Sequence, residues 1–164
     1  MSDSPRSTAA EYAVRRATRA DMATIVRQRC AIFEEAGRTQ YLELVERNFA
    51  AWLAERLDAT YFHWLAEGEG RPVGGAGLLL LDWPPSPRDP RGGIGYVYNV
   101  YVEPAHRRRG VARAVLEALH AWARERELGA VALHATDAGR PLYEALGYTP
   151  TSEMRLMLAA RGDR

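Results

Sequence analysis

Three consecutive arginines, Arg107, Arg108 and Arg109, lead into Gly110, Val111, Ala112 and Arg113, and this segment is the one best suited to chemistry. It stands between a run of β-branched and aromatic residues ending in Val100, Tyr101 and Val102 and a stretch with helical periodicity. Such a turn gathers unbonded backbone N–H groups, the positive end of a helix dipole and guanidinium charge at one place. The ligand that suits it is a phosphate or pyrophosphate. An arginine run is also common on solvated surfaces. What sets this one apart is its position after a strand, with Pro104 and Gly110 to shape the turn and a helix to follow. The pattern Arg-x-x-Gly-x-Ala is not a nucleotide P-loop, which needs Gly-x-x-x-x-Gly-Lys-Ser/Thr. Nor does it have the three spaced glycines of a dinucleotide fingerprint.

Other reactive side chains form no such constellation. His63, His106, His120 and His134 are scattered, and no Cys/His group has metal-ligand spacing, so a metal is not expected. No Ser, His and Asp arrangement suggests a nucleophilic triad. Cys30 is the lone cysteine, which excludes an internal disulfide and suits a reducing compartment.

The chain has 164 residues, 47% hydrophobic and 26% charged, with a formal net charge of +1. That is ordinary for a globular domain and offers no whole-molecule attraction to nucleic acid or anionic lipid. The basic run is too short for a nucleic-acid module. No apolar stretch is long enough to span a bilayer, and the polar first residues lack a signal-peptide core, so a cytoplasmic location and no membrane partner are expected.

Residues 1–11 read as a disordered tail and 12–160 as a single domain. A strand is expected over 12–16, then a helix capped at Thr18 that runs to about Glu35 and buries Met22, Ile25, Val26, Cys30 and Phe33. A second helix over 41–57 carries Leu44, Val45, Phe49, Trp52 and Leu53 at helical spacing. Strands over 61–67 and 73–82 flank a Gly68-Glu69-Gly70 turn. The segment 83–93, with four prolines and two glycines, is a loop. Residues 94–102 read as a central strand and 110–127 as a third helix burying Ala112, Val115, Leu116, Leu119 and Trp122. A strand over 130–134, a short helix over 138–146 and a closing strand over 148–158 complete a mixed α/β sheet.

With these elements in place, two motifs in order become specific together. They are the turn from Arg107 to Ala112, preceded by Val100, Tyr101, Val102, Glu103 and Pro104, and the segment Leu142, Tyr143, Glu144, Ala145, Leu146, Gly147 and Tyr148. Here the chain resembles the GNAT family of N-acetyltransferases, over nearly the whole domain. The resemblance implies a splayed sheet in the order β-α-α-β-β-β-α-β-α-β, with acetyl-CoA between the fourth and fifth strands and no metal. It implies that backbone groups of Val100 and Val102 pair with the pantetheine arm. The turn and helix start, Arg107, Arg108, Arg109, Gly110, Val111, Ala112 and Arg113, would hold the pyrophosphate. Thr136 stands where many members have a cofactor-contacting Asn, and Gly139 where Ala is frequent.

The family chemistry is attack of a primary amine on the thioester. The resemblance implies an oxyanion donor in the Val100 N–H and a proton donor to the thiolate in Tyr143, a phenol protonated at neutral pH. Glu34, Glu35, Tyr98 and Asn99 are candidates for the acceptor side, and Glu103 reads as a solvated turn residue. The acceptor is a small-molecule or protein amine, and a homodimer is compatible with the family. A non-catalytic acyl-CoA-binding or regulatory domain would keep the arginine turn too, and stays open at this point.

Overall fold

A computed structural model of the chain describes residues 12–87 and 89–158. The expected tail over 1–11, and the last two residues of the expected domain, lie outside the described residues. The chain divides into two compact units, one ending at His134 and one beginning at Ala135.

In the first unit the elements are β1 (Ala13–Arg16), α1 (Met22–Glu35), α2 (Leu42–Arg56), β2 (Tyr61–Gly68), β3 (Arg71–Leu81), β4 (Ile94–Val102), α3 (Val111–Glu125) and β5 (Val131–Ala132). The strands form one sheet in the order β1-β2-β3-β4-β5. Its first four strands pair antiparallel, and β4 pairs parallel with β5. This is the mixed, open sheet expected from the sequence.

Alternation along β2 assigns its two faces. Tyr61 and Leu65 pack with Ile25, Val26, Phe49 and Leu53 of the first two helices. Phe62 and Trp64 meet Trp122 of α3, with ring centroids 4.4 Å and 5.6 Å apart. Between β2 and β3, Glu69 and Gly70 both have positive φ, 54° and 74°, which gives the tight hairpin turn its twist. At the entry to α1, Asp21 accepts from the backbone N–H of Thr18 at 2.8 Å and binds Arg15 at 2.8 Å and 2.9 Å. Those bonds hold the Asp21 carboxyl down at about 2.

The second unit contains α4 (Arg140–Ala145). Residues 148–158 form no strand, contrary to the sequence expectation. A strand needs a neighbour for its backbone groups, and this segment has no ladder among the described residues. Its apolar side chains are left outside: Met154, Leu156, Met157 and Leu158 are all exposed. The expected strand over 130–134 is likewise reduced to Val131–Ala132. Leu44 is exposed rather than buried, and α2 contributes mainly Phe49 and Leu53 to the core.

Gly77 tests the packing under the sheet. A Cβ there would run into the phenol end of Tyr61, which is fully buried and bonded to two partners, so it has no free path aside. Gly77→Ala is expected to lower stability by about 1–3 kcal/mol, as overpacking does. Urea denaturation reads this as a lower midpoint with unchanged slope; an unshifted midpoint contradicts the packing described.

Candidate active site

β4 is paired with β3 from Ile94 to Val102, but with β5 only where Gly95 faces Val131 and Tyr96 faces Ala132. Beyond Tyr96 the two parallel strands part. The β5-side backbone of residues 97–102 therefore has no strand partner among the described residues. Within that stretch the ladder to β3 is also broken. Tyr98 opposes Gly77 and Tyr101 opposes Gly75, so Asn99 and Val100 together face Ala76 in a bulge. Asn99 takes φ 55°, an αL conformation that asparagine tolerates better than most residues.

The strand leads into the arginine turn. Arg108 and Gly110 have φ 62° and 82°, and Gly110 caps α3. A Cβ added to Gly110 would meet nothing within 4 Å, so glycine is required there by backbone conformation, and open space lies before the amides. The first bond of α3 is donated by Ala114 to the Gly110 carbonyl at 3.0 Å. The N–H groups of Val111, Ala112 and Arg113 precede it and face out of the helix end. α3 runs for 15 residues, so its dipole is fully developed. These features fit a diphosphate, and the unpaired edge of β4 fits an extended amide-bearing chain.

The arginines divide the work. Arg107 is a clip: its Nε donates to the Val102 carbonyl at 2.8 Å, and its Nη2 binds the Glu35 carboxylate at 2.6 Å and 2.7 Å. Two residues expected on different substrates are thus brought together, tying the last turn of α1 to the turn after β4. Arg108 and Arg109 are exposed beside Gly110, and Arg113 pairs with Glu117 at 3.5 Å along the helix. Glu103 is not a solvated turn residue, as the sequence suggested. Its carboxylate is largely covered and lies between Arg71, at 2.5 Å, and Arg27, at 3.3 Å. Burial alone would raise its pKa, but the two guanidinium groups outweigh this and hold it below the usual value. His106 is buried and shares a 3.0 Å hydrogen bond with Tyr12, pinning the turn to the start of β1.

A cavity of about 440 Å³ opens where α1, α2, β3 and β4 meet, with Arg29, Phe49, Trp52, Tyr61, Tyr98 and Asn99 among its walls. Tyr98 and Asn99 were expected on the acceptor side, and both line it. Glu34 is exposed at the end of α1 and is not among the lining residues. Arg29 and Tyr61 were not singled out by sequence reading, and His63 was read only as one of four scattered histidines. The only available signal was the polar Gln28-Arg29 pair inside an otherwise apolar helical pattern.

These residues form a directed chain. Arg29 Nη1 donates to Asn99 Oδ1 at 2.6 Å, which fixes the amide so that Nδ2 donates to Tyr61 Oη at 2.7 Å. Tyr61 Oη shares a further hydrogen bond with His63 Nδ1, 3.1 Å away. His63 Nε2 is buried and has no hydrogen-bond partner. Complete burial pushes its pKa down to about 3 and pushes that of Tyr61 up.

In the second unit, the Gly139 N–H donates to Thr136 Oγ1 at 3.2 Å, and the Arg140 N–H to the Thr136 carbonyl at 2.9 Å, leading the chain into α4. Tyr143 is buried on α4, edge-on to Tyr148 at 5.8 Å. Its ring lies so close to Gly139 that a Cβ there would be 2.8 Å from Cε2. Burial raises the Tyr143 pKa, so the phenol keeps its proton at neutral pH. No group of three or more metal-ligating side chains occurs among the described residues, and no helix there is long and apolar enough to cross a membrane.

The mixed, open sheet with parted fourth and fifth strands, flanked by helices, is the fold of acetyltransferases. Residues 24–148 match the profile of the Acetyltransferase (GNAT) family, and the chain belongs to that family. Among solved structures it is similar to a GCN5-related N-acetyltransferase from Ralstonia eutropha JMP134, with 39% identity, TM-score 0.85, and coverage of 91% of this chain and 99% of that one. It is also similar to a predicted acetyltransferase with acetyl-CoA from Clostridium acetobutylicum, with 27% identity, TM-score 0.76, and coverage of 90% and 96%. Among curated proteins it is 33% identical over 92 residues to glucosamine 6-phosphate N-acetyltransferase of Trypanosoma brucei brucei. That match takes in 54% of this chain and 59% of the relative's length.

The buried histidine gives a pH test. The unfolded chain protonates His63 near its ordinary 6.5, while the folded protein resists until about 3. Below 6.5 the unfolded state therefore binds more protons, and stability falls as pH drops from 6.5 toward 3. Asp21, held at about 2 against 3.8, adds a loss of the same sign below 3.8. Urea titrations at pH 7, 6 and 5 are expected to show a falling midpoint, with a shallower fall in His63→Gln. Equal slopes in the two proteins contradict the buried neutral imidazole.

Proposed function

We propose that this chain moves the acetyl group of acetyl-CoA to a primary amine by direct attack within a ternary complex. The observation that carries the reading is the separation of β5 from β4 after Tyr96, just upstream of the αL glycine that starts α3. One strand thus offers an unpaired edge for an extended pantetheine arm and ends at donors suited to its diphosphate.

In this reading the Val111, Ala112 and Arg113 amides hold the diphosphate, with Arg108 and Arg109 adding charge, while Arg107 holds the turn in shape. Backbone groups of Val100 and Val102 align the thioester arm, and Thr136 adds a contact from the second motif. The amine lone pair attacks the thioester carbonyl carbon, and the Val100 N–H supports the oxyanion. The carbon–sulfur bond then breaks, the thiolate takes a proton from the Tyr143 phenol, and the amine nitrogen gives up its proton to solvent, from which the phenolate is reprotonated. The cavity beside Tyr98 and Asn99 receives the acceptor. The relative named for glucosamine 6-phosphate makes amino-sugar phosphates a natural part of any acceptor set.

Incubation with acetyl-CoA and pooled amines, glucosamine 6-phosphate and lysine peptides included, is expected to give acceptor-dependent thiol release and a product heavier by one acetyl group. Acyl-CoA binding without acceptor-dependent release supports a sensor domain instead. With a turned-over acceptor, Tyr143→Phe is expected to lower kcat on the order of 10²-fold. An unchanged kcat at saturation removes Tyr143 from the mechanism.

A further inference from the structure

The acceptor cavity has a cation in its wall with nothing in the described chain to neutralise it. Arg29 stacks over Phe49 and Phe33, 4.6 Å and 5.1 Å from their ring centroids. Its one hydrogen bond is the 2.6 Å contact from Nη1 to Asn99, and its Nε is buried without a partner. Among the described residues no carboxylate lies within ion-pair distance of it. The oxygens about it belong to a carboxamide and to the phenols Tyr61 and Tyr98. A guanidinium stays charged at any physiological pH. Burial without a counter-charge pulls its pKa below the usual value, a cost that an anion would relieve.

The contrast is with the arginines that tie the elements of this unit together. Arg15 is met by Asp21 and Glu67, Arg16 by Asp58, Arg71 by Glu103 and Arg107 by Glu35. Those groups brace the fold, and each has its acid. Arg29 holds the Asn99 amide but has no acid, and it lines the cavity. A planar fork of N–H donors against aromatic rings is a receptor for a carboxylate or a phosphate.

The geometry points to an acceptor that carries an anionic group, carboxylate or phosphate, on the same small molecule as its amine, with Arg29 receiving the anion. This rests on the acetyl-transfer reading and narrows its substrate class. Two consequences follow from charge alone. A fixed cation beside the acceptor disfavours an ammonium ion and favours the neutral amine, the form that can attack. It also disfavours amines with no anion, such as polyamines and the lysine side chain of a basic peptide.

The test uses matched pairs with acetyl-CoA: β-alanine against β-alaninamide for the carboxylate, and O-phosphoethanolamine against ethanolamine for the phosphate, with spermidine and a lysine peptide alongside. Turnover is read as kcat/KM, and binding to the CoA-loaded protein is read by calorimetry. The anionic member of at least one pair is expected to be favoured by roughly 10–100-fold, the scale of a charge-assisted contact. Which pair responds tells carboxylate from phosphate. In Arg29→Gln that ratio is expected to collapse toward one, while Arg29→Lys keeps part of it. The wild-type ratios stand alone if a variant fails to fold. Equal or better use of the uncharged or cationic amines, or no response to any anionic member by either readout, overturns the assignment. Anionic amines that bind in an Arg29-dependent way without being acetylated uphold it and sink the transferase reading instead.

Discussion

A backbone strand has hydrogen-bonding groups on both edges, and both must be satisfied. β4 meets that demand from β3 along its length except at the bulge of Asn99 and Val100, and from β5 for only two residues. The open edge that results is the constraint on which the site depends. The bulge at Asn99 and Val100 turns the strand locally and sends the Asn99 side chain to the cavity side. The Arg107 clip and the paired Glu103 then fix the turn through which β4 enters α3.

The buried polar chain from Arg29 through Asn99 and Tyr61 to His63 belongs to the same logic. Arg29 fixes the Asn99 amide, which donates in turn to Tyr61, and Tyr61 shares its other bond with His63. Phe49, Leu53 and Leu65 of the apolar core pack with Tyr61 on the same face of the sheet. Partly satisfied networks of this kind are costly in a core, and here the unspent donors sit beside the cavity.

Much of this was legible in the residues. The central strand 94–102 and the third helix were readable because β-branched runs and helical periodicity leave little choice there, and the arginine turn was readable because glycine and proline mark it. Tyr98 and Asn99 were placed on the acceptor side and line the cavity. What escaped has a common cause: the outcome depended on contacts far apart in sequence. Glu35 and Arg107 are 72 residues apart, and neither reveals the other. Arg29 reads as one more surface cation on a helix until Phe49 and Asn99 enclose it. The strand expected over 148–158 has the right residues and lacks a ladder, which no local pattern can report.

The claim that the rest depends on is that the start of α3 grips the diphosphate of a coenzyme lying along β4. Calorimetric titration with CoA and, separately, with pantetheine addresses it directly, since the two share the arm and differ in the nucleotide and phosphates. The account predicts saturable one-to-one binding of CoA, tighter than pantetheine by roughly tenfold or more. No binding of CoA, or equal affinity for the two, would contradict it.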